Sequence, residues 1–391
     1  MTLREVLAPD RRSRLVGSAP WTLGRRVGAL LLATAVLLLA GCGNKPGPTV
    51  ASVASGSTAN APKSPGATHL HRAYVAVWGL AGVVPLDLTT GTLETAIHAQ
   101  AAVIAITPDG GTAYAVFGGN VVPIDLATDT PRAPIALPTA DTSPGHDIAI
   151  SPDGSRAYVA VSNVSGSADA NAVVPVDLAA GRPLTPIPFP AGAYAIVVSP
   201  DGATAYVTDS SGVVPLDLAT GKPGAQIPIP GGAEAIAIAP DGNTAYVTTS
   251  TGSVVVPINL ATRTAQTPVQ VGAGAEAIAI TPDGRTAYVA TSVLTTPSTQ
   301  GVLAVSKVVP IDLTTNTPGA PIQLPTNAET SRHGIAITPD GRTAYVAVVD
   351  GPDAAVDVNG VLPIDLGTNT LLPPIRFPTG VSPEAIVIAP R

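Results

Sequence analysis

Seven equivalent positions in the chain carry most of the side chains that could bind a charged ligand. Each stands two residues before an isoleucine in a short apolar segment, as in "EAIAI" and "HGIAI". These positions are Ala102, His146, Tyr194, Glu234, Glu276, His333 and Glu384. Imidazole and carboxylate groups bind divalent cations. If the fold gathers these positions into a ring, they predict a site for a divalent cation or a cationic ligand. If it does not, each Glu or His satisfies local backbone groups.

A second candidate site is the acidic segment "DGPDAAVDVNG", with Asp350, Asp353, Asp357 and Asn359. Closely spaced carboxylates and an amide oxygen suit calcium, although the spacing does not match that of an EF-hand loop. The alternative is a solvated loop that binds no metal. No cofactor other than such a cation is indicated by the sequence.

Catalytic motifs are absent from the chain after residue 41. It contains no G-x-S-x-G, H-E-x-x-H, C-x-x-C, P-loop or G-x-G-x-x-G sequence. Most of its aspartates belong to repeated turn and strand segments, which leaves few groups to activate a nucleophile. The sequence therefore favours a binding protein without catalytic residues over an enzyme.

The first 41 residues have the pattern of an export signal. Arginines that include Arg25 and Arg26 precede an apolar run of about 15 residues, which is the length of a signal core and is too short for a membrane span. The run ends in Leu39-Ala40-Gly41-Cys42, which resembles the lipobox of bacterial lipoproteins. This resemblance implies that Cys42 carries lipid and holds the protein on the outer face of the cell membrane. Export by the general or by the twin-arginine route stays open.

Residues 42–67 form a segment of Gly, Ser, Pro and Ala without periodicity, which predicts a flexible tether. Without residues 1–41 the formal charge changes from −7 to about −11, since 14 basic and 25 acidic residues remain. This acidity makes nucleic acid an improbable partner. We expect a monomer whose partners are the membrane, through Cys42, and an unidentified protein or small molecule.

Residues 68–391 are built from an internal repeat. The string "PDGRTAYVA" occurs twice without change, and weaker copies begin at Pro108, Pro152, Pro200 and Pro240. A second string, typified by "VPIDL", occurs seven times with a spacing of 38 to 53 residues between its prolines. A third, an apolar segment, occurs seven times, six times before a Pro-Asp-Gly and once at the C-terminal end. The chain is therefore a repeat protein.

Each repeat predicts four short strands, typified by "AIAIT", "TAYVA", "VVPIDL" and "APIALP". Pro-Asp-Gly forms the turn between the first and second strands, because Gly allows a positive φ there. Gly or Asn in "DLATGT" and "DLTTNT" serves the turn between the third and fourth strands. Proline suits the fourth strand as a sheet edge, whereas proline in the third strand predicts a β-bulge.

Four-stranded units of about 40 residues predict an all-β fold, a seven-bladed β-propeller. The "PDGRTAYVA" and "VVPIDLATxT" strings resemble the YVTN-type β-propeller family over residues 69–391. That resemblance implies the propeller fold and little about function. The chain begins at a second strand, "HRAYVAV", and ends at a first strand, "EAIVIAP". We therefore expect the N- and C-terminal strands to share the last blade and close the ring.

The strand order separates two faces. The near-constant turns lie on one, the turn face, whereas connections of very different length lie on the other, the variable face, together with the starts of the first strands. Function is expected on the variable face, because binding residues concentrate in variable loops on a rigid scaffold. The sequence thus predicts a lipid-anchored binding module. The alternative is a hydrolase, such as a lactonase with a metal-assisted site at the channel mouth, since some propellers that resemble this chain open lactone rings.

Overall fold

The computed structural model describes residues 71–78, 82–138, 147–162, 171–249, 253–295, 303–350, 359–378 and 380–390. The predicted signal segment, Cys42, the tether, His146, Asp353 and Asp357 lie outside these residues. The described chain is all-β, and its strands form antiparallel sets in which the predicted four-strand order recurs. No helix in the described ranges is long and apolar enough to cross a membrane.

The first strand of each set lies at its inner end, and we call these the inner strands. They are β4 (Val103–Ile106), β9 (Asp147–Ile150), β14 (Ile196–Val198), β19 (Ala233–Ile238), β24 (Ala275–Ile280), β29 (Ala328–Ile337) and β34 (Ser382–Ile388). The second strands follow the Pro-Asp-Gly turns, apart from β1, with which the described chain opens. They are β1 (Arg72–Trp78), β5 (Thr112–Phe117), β10 (Arg156–Val161), β15 (Thr204–Thr208), β20 (Thr244–Thr249), β25 (Thr286–Thr295) and β30 (Thr343–Asp350).

The third strands contain the "VPxDL" strings. They are β2 (Gly82–Asp87), β6 (Asn120–Asp125), β11 (Ala172–Asp177), β16 (Gly212–Asp217), β21 (Val254–Asn259), β26 (Leu303–Asp312) and β31 (Gly360–Asp365). The fourth strands are broken into two short pieces. The first pieces are β3 (Thr92–Leu93), β7 (Thr130–Pro131), β12 (Arg182–Pro183), β17 (Lys222–Pro223), β22 (Thr264–Ala265), β27 (Thr317–Pro318) and β32 (Thr370–Leu371). The second pieces are β8 (Ile135–Ala136), β13 (Ile187–Pro188), β18 (Ile227–Pro228), β23 (Val269–Gln270), β28 (Ile322–Gln323) and β33 (Ile375–Arg376).

The turns have the backbone that the sequence predicts. The glycine of every Pro-Asp-Gly turn has a φ near +70°, as at Gly110 and Gly341. In these turns the aspartate fixes the bend: the Asp283 carboxylate accepts hydrogen bonds from Thr281 Oγ1 at 2.6 Å and from the Arg285 N–H at 3.0 Å. In the turn after the third strand, the left-handed position is the predicted Gly or Asn in most sets, as at Gly221 (φ 66°) and Asn369 (φ 54°), but it is Asp129 (φ 54°) and Arg263 (φ 57°) in two others.

The bulge predicted at the proline of the third strand lies only on its outer side, where three residues of the fourth strand oppose two of the third, as opposite Val122 and Pro123. The ladder between second and third strands runs without a register shift, and a tyrosine faces that proline, as in Tyr74↔Pro85 and Tyr288↔Pro310. The fourth strand breaks instead. In the set of β6, the pieces β7 and β8 pair on either side of Pro123, whose carbonyl accepts the Arg132 N–H at 2.7 Å. The outer strand leaves the ladder where proline has no N–H to donate.

The core is divided among the spaces between consecutive sets. Each space holds a cluster of buried Val, Ile, Ala and Tyr side chains from the two sheets that face it. A further cluster, with Val75 and Val361, packs the last set against the first. Each inner strand also contacts the next, and β34 contacts β4. Sheets that pack face to face around an axis form a β-propeller.

The chain ends meet in one sheet. Strand β34 pairs antiparallel with β1, for example at Ile386↔Val75, so the set of β1 has the last strand as its inner strand. A single parallel bridge, His333↔Ala385, links this set with that of β29 into one nine-stranded sheet, while the other five sheets have five strands each in the described residues. The predicted pairing of the terminal strands is therefore present.

Candidate functional site

The predicted strand-start residues lie where the inner strands depart from regular pairing. Glu276 is the extra residue of a bulge, since Ala275 pairs with Thr291 and Ala277 with its neighbour Ala290. Glu384 occupies the same place in β34, between residues that pair with Ala76 and Val77. In β19, Glu234 and Ala235 together oppose Thr248. In a regular strand, side chains alternate between the two faces of the sheet. A bulge interrupts this alternation at its extra residue, so the direction of these glutamates does not follow from the regular pattern.

Strand β29 has a much larger departure. Thr330 pairs with Val348 and Ile335 with Val346, so residues 331–334 oppose Ala347 alone. The segment bends so tightly that a Cβ added at Gly334 would lie 3.0 Å from the Ser331 carbonyl oxygen. The Ser331 hydroxyl donates a hydrogen bond to the Glu384 carbonyl oxygen of β34. We call residues 331–334 the β29 bulge.

The β29 bulge brings His333 to an acidic residue of a distant inner strand. His333 Nδ1 lies 3.6 Å from Asp147 Oδ1, and both side chains are largely buried, with 24% and 15% of their surface exposed. Strands β9 and β29 are not neighbours around the ring, because other inner strands separate them in both directions. The contact therefore joins opposite sides of the channel at its variable-face end.

Asp147 also fixes its own side of the ring. Its Oδ1 accepts the Ile148 N–H at 2.8 Å, and its Oδ2 accepts the Ile196 N–H of β14 at 2.8 Å. The inner edge of β14 has no strand partner in the described residues, so this carboxylate satisfies a backbone donor that a sheet would otherwise pair. Asp147 is thus a structural clamp as well as a charged group.

Other hydrogen bonds near the same mouth link strands of one set or of neighbouring sets. Thr330 Oγ1 donates to Glu276 Oε2 at 3.2 Å, and Thr208 Oγ1 donates to the Glu234 carbonyl oxygen at 3.0 Å. The Tyr194 N–H donates to the Thr208 carbonyl oxygen at 2.9 Å. The Glu276 side chain and the Glu234 carbonyl oxygen therefore take part in contacts between neighbouring sets. Within the described ranges, no three His, Cys, Asp or Glu residues are placed to hold a metal ion.

A cavity of about 500 Å³ lies along the axis, between the inner strands of all the sets. Asp147 and His333 line its variable-face end, and Thr107, Pro108 and Pro390 line its turn-face end. Isoleucine and alanine residues make up most of the remaining wall. The volume falls in the range typical of small-molecule sites.

The acidic segment after β30 begins as a closed hairpin. The Asn359 side-chain amide donates to Asp350 Oδ2 at 2.6 Å, and the Asp350 N–H donates to Asn359 Oδ1 at 3.0 Å. Asn359 is buried. Asp350 therefore has a structural partner at the base of this loop. Because Asp353 and Asp357 lie outside the described residues, calcium binding by the loop stays a prediction.

Another carboxylate of the variable face, Asp209, shapes the short loop before β16. It is 1% exposed and accepts the Ser211 N–H at 2.7 Å, the Gly212 N–H at 2.8 Å and the Gln226 amide at 2.8 Å. Burial raises the pKa of Asp209 above the ordinary range of an aspartate. These contacts give it a local structural role away from the channel.

An exposed tryptophan at the end of β1 and a partly buried phenylalanine at the end of β5 lie on the variable face. The Trp78 ring is 5.8 Å from the Phe117 ring, inclined at 52°, and Trp78 is 55% exposed. Further along the same face, the hairpin of β25 and β26 extends beyond the other sets and exposes Leu294 and Val305. Solvent-exposed aromatic and aliphatic groups on one face indicate an interaction surface.

Two of these features were missed by the sequence predictions, although each left a signal. Asp147 directly precedes its isoleucine, where the other inner strands carry only Val, Ala or Gly. Trp78 is the only tryptophan after residue 41. Neither signal specifies a contact, since the partner of Asp147 is far away in sequence and the exposure of Trp78 depends on how the sets pack.

Comparisons with solved structures support the fold. Hydrazine synthase from Kuenenia stuttgartiensis is 22% identical, with a TM-score of 0.58 over 69% of this chain and 78% of that chain. A functionally unknown protein from Desulfotomaculum acetoxidans is 17% identical, with a TM-score of 0.65 over 82% of this chain and 99% of that chain. The β-propeller domain of Cps50 (Swd1) from Myceliophteria thermophila is 14% identical, with a TM-score of 0.52 over 71% and 86%. No family model and no curated protein matches the chain. At these identities the similarity shows the propeller fold alone.

Proposed function

We propose that this protein is a lipid-anchored, extracytoplasmic β-propeller that binds a protein or small-molecule partner through its variable face. The observation that carries the proposal is the exposed Trp78 ring, which packs against the partly buried Phe117 on that face. Tryptophan is enriched among the residues that dominate binding energy at interfaces, and a monomer gains nothing in stability from leaving such a ring in water.

We further propose seven blades and membership of the YVTN-type repeat group. Five sheets of the described residues each supply one blade, and the nine-stranded sheet divides at the His333↔Ala385 bridge into two more. The seven copies of the "VPxDL" string agree with this division. Rigid blades with near-constant turns leave the variable face as the place where binding specificity is set.

Anchoring is supported by the sequence of the N-terminal segment, with Cys42 after Leu39-Ala40-Gly41. A Cys42→Ala variant is expected to leave the membrane fraction, because the protein then lacks the buried acyl chains that hold it there. The measurement is fractionation of cells of the native host, with Ser57→Ala in the tether as the matched control. Retention of Cys42→Ala in the membrane fraction contradicts the anchor.

Binding through the variable face is tested by photo-cross-linking in the native host. A photoreactive amino acid replaces Phe117 on the variable face or, as the control, Leu371, an exposed apolar residue near the turn face. We expect a discrete adduct from position 117 and none from position 371, and we expect Trp78→Ser to weaken the adduct at least about tenfold. Equal adducts from both positions, or none from position 117, contradict the proposal.

A hydrolase acting on a lactone is the second candidate, and the Asp147–His333 contact favours it. A carboxylate beside an imidazole can orient it to take a proton from water that attacks a carbonyl carbon. The test is release of acid from γ-butyrolactone, followed at constant pH, by the full chain and by His333→Gln. Acid release that is abolished in His333→Gln supports lactone hydrolysis by this protein. Equal rates of acid release with and without the protein exclude it.

A further inference from the structure

The wall of the axial cavity contains strand edges that pair with no other strand in the described residues. The inner strands β4, β9, β14, β19 and β24 each form the end of their sheet, so one edge of each is paired and the other faces the axis. An unpaired strand edge presents alternating N–H and C=O groups. The wall therefore offers hydrogen-bonding groups along its length, between the isoleucine and alanine side chains that line it.

Charge is concentrated at one end of this wall. Among the described lining residues, Asp147 is the only acid and His333 the only base. The main-chain N–H groups of Ile148 and Ile196 hold the Asp147 carboxylate in place at 2.8 Å each. Hydrogen bonds to a charged carboxylate are stronger than neutral ones, so its position is well fixed.

The imidazole lies beside the carboxylate without a direct hydrogen bond to it. At 3.6 Å, the Nδ1–Oδ1 separation exceeds that of a hydrogen bond. A cation that makes a short, charge-assisted bond to Asp147 would therefore compete with His333 at this position. From Asp147 the cavity runs towards the turn face for the length of an inner strand, about 13 Å for four residues.

We propose that the axial cavity binds a linear aliphatic diamine. One ammonium group bonds to the Asp147 carboxylate, the methylene chain lies among the isoleucine side chains, and a second ammonium group donates to the carbonyl oxygens of the strand edges. A divalent metal ion fits less well, because the described residues bring no third His, Cys, Asp or Glu to the pair. This site is separate from the Trp78 surface and does not depend on lipid anchoring.

The test is isothermal titration of the full chain in detergent with 1,4-diaminobutane, and with 1,4-butanediol as the uncharged analogue of the same length. We expect the diamine to bind and the diol to give no heat. Asp147→Asn removes the charge while keeping an acceptor, and is expected to weaken diamine binding at least about tenfold. Asp209→Asn is the matched control, because Asp209 is also buried and accepts two main-chain N–H groups away from the cavity. It should change the affinity less than twofold.

A second variant keeps the test decisive if Asp147→Asn does not fold. His333→Ala removes the competing imidazole and leaves the carboxylate, so it should bind the diamine as tightly as the wild type or more tightly. The proposal is overturned if the diamine does not bind, if the diol binds equally, or if His333→Ala loses binding. Binding of calcium or zinc chloride without binding of the diamine also overturns it. Trp78→Ser should bind the diamine normally, which separates this result from that of the variable face.

Discussion

Asp147 of β9 and His333 of β29 approach to 3.6 Å across the propeller axis, although they are 186 positions apart in the chain. The contact depends on the β29 bulge, which places four residues opposite one. It also depends on the Asp147 carboxylate, which the Ile196 N–H ties to the adjacent β14. Three inner strands are therefore joined through one carboxylate.

Asp147→Ala should lower the free energy of unfolding by about 1–3 kcal/mol. The substitution removes the acceptor of the Ile196 N–H, and an unsatisfied buried donor costs this much. The measurement is urea unfolding followed by circular dichroism. Asp241→Ala is the control, because Asp241 is an exposed turn residue whose carboxylate accepts the Asn243 N–H. Equal losses of unfolding free energy in the two variants would show that the Asp147 carboxylate stabilises the protein no more than an exposed turn carboxylate does.

Ile386→Ala in β34 should destabilise the protein by about 2–5 kcal/mol, the usual cost of truncating a buried isoleucine. Ile386 is 3% exposed and pairs with Val75 in the sheet that joins the chain ends. Deletion of residues 383–391 should cost roughly 5–9 kcal/mol or more, since it removes Ile386, Val387 and Ile388 together. Thermal unfolding measures both changes. A deletion variant that melts at the temperature of the wild type would show that β34 is not needed for closure.

Tyrosines of the second strands bond to the left-handed turn residue of the following set. The Tyr288 hydroxyl donates to Asn369 Oδ1 at 2.8 Å, and Tyr246 does the same to Asn316 at 3.2 Å. Tyr288→Phe should therefore cost about 0.5–1.5 kcal/mol. The corresponding turn residue for Tyr158 is Gly221, which has no side chain, so Tyr158→Phe is the matched control.

Asn369→Gly completes this test, because glycine adopts the φ of 54° without strain while removing the acceptor. In that background Tyr288→Phe should have almost no further effect on the free energy of unfolding. Additive losses in the double variant would mean that the two side chains are not energetically coupled.

Acid should destabilise the protein over a defined range of pH. The Ser151 hydroxyl, and then the Ser155 N–H and hydroxyl, lower the pKa of Asp153 to about 2. Hydrogen bonds from Thr281 and from the Arg285 N–H lower the pKa of Asp283 in the same way. A lowered pKa in the folded state stabilises it above the unfolded value of about 3.9, and this stability is lost as pH falls through the folded pKa.

The urea midpoint should thus be steady above about pH 5 and fall between about pH 4 and pH 2. Asp153→Asn, which cannot ionise, should show a shallower fall than the wild type. A midpoint that does not change between pH 5 and pH 2 would contradict a stabilising role for the turn carboxylates.

The repeat, the strand order and the turn chemistry can all be predicted from the amino-acid sequence. These are local properties: Gly341 has a positive φ because a Pro-Asp-Gly turn requires it, and Asn369 tolerates the left-handed backbone in its own turn. The pairing of β34 with β1 was also predictable. The repeats begin with a second strand and end with a first strand, and each of these two strands lacks a partner in its own repeat, so they can pair with each other. The bulge predicted at the third-strand proline occurs only towards the outer strand, since the sequence does not show which neighbour leaves the regular ladder beside Pro123.

The side chains that meet at the channel could not be predicted, because their contacts depend on how the sheets pack. His333 was predicted at the variable-face mouth, but its approach to Asp147 depends on a bulge of four residues that strand periodicity does not encode. The exposure of Trp78 beside Phe117 likewise depends on how two sets pack. Local propensity fixes each turn and strand within a few residues, whereas the distance between opposite inner strands is set by the packing of all the sheets around the axis.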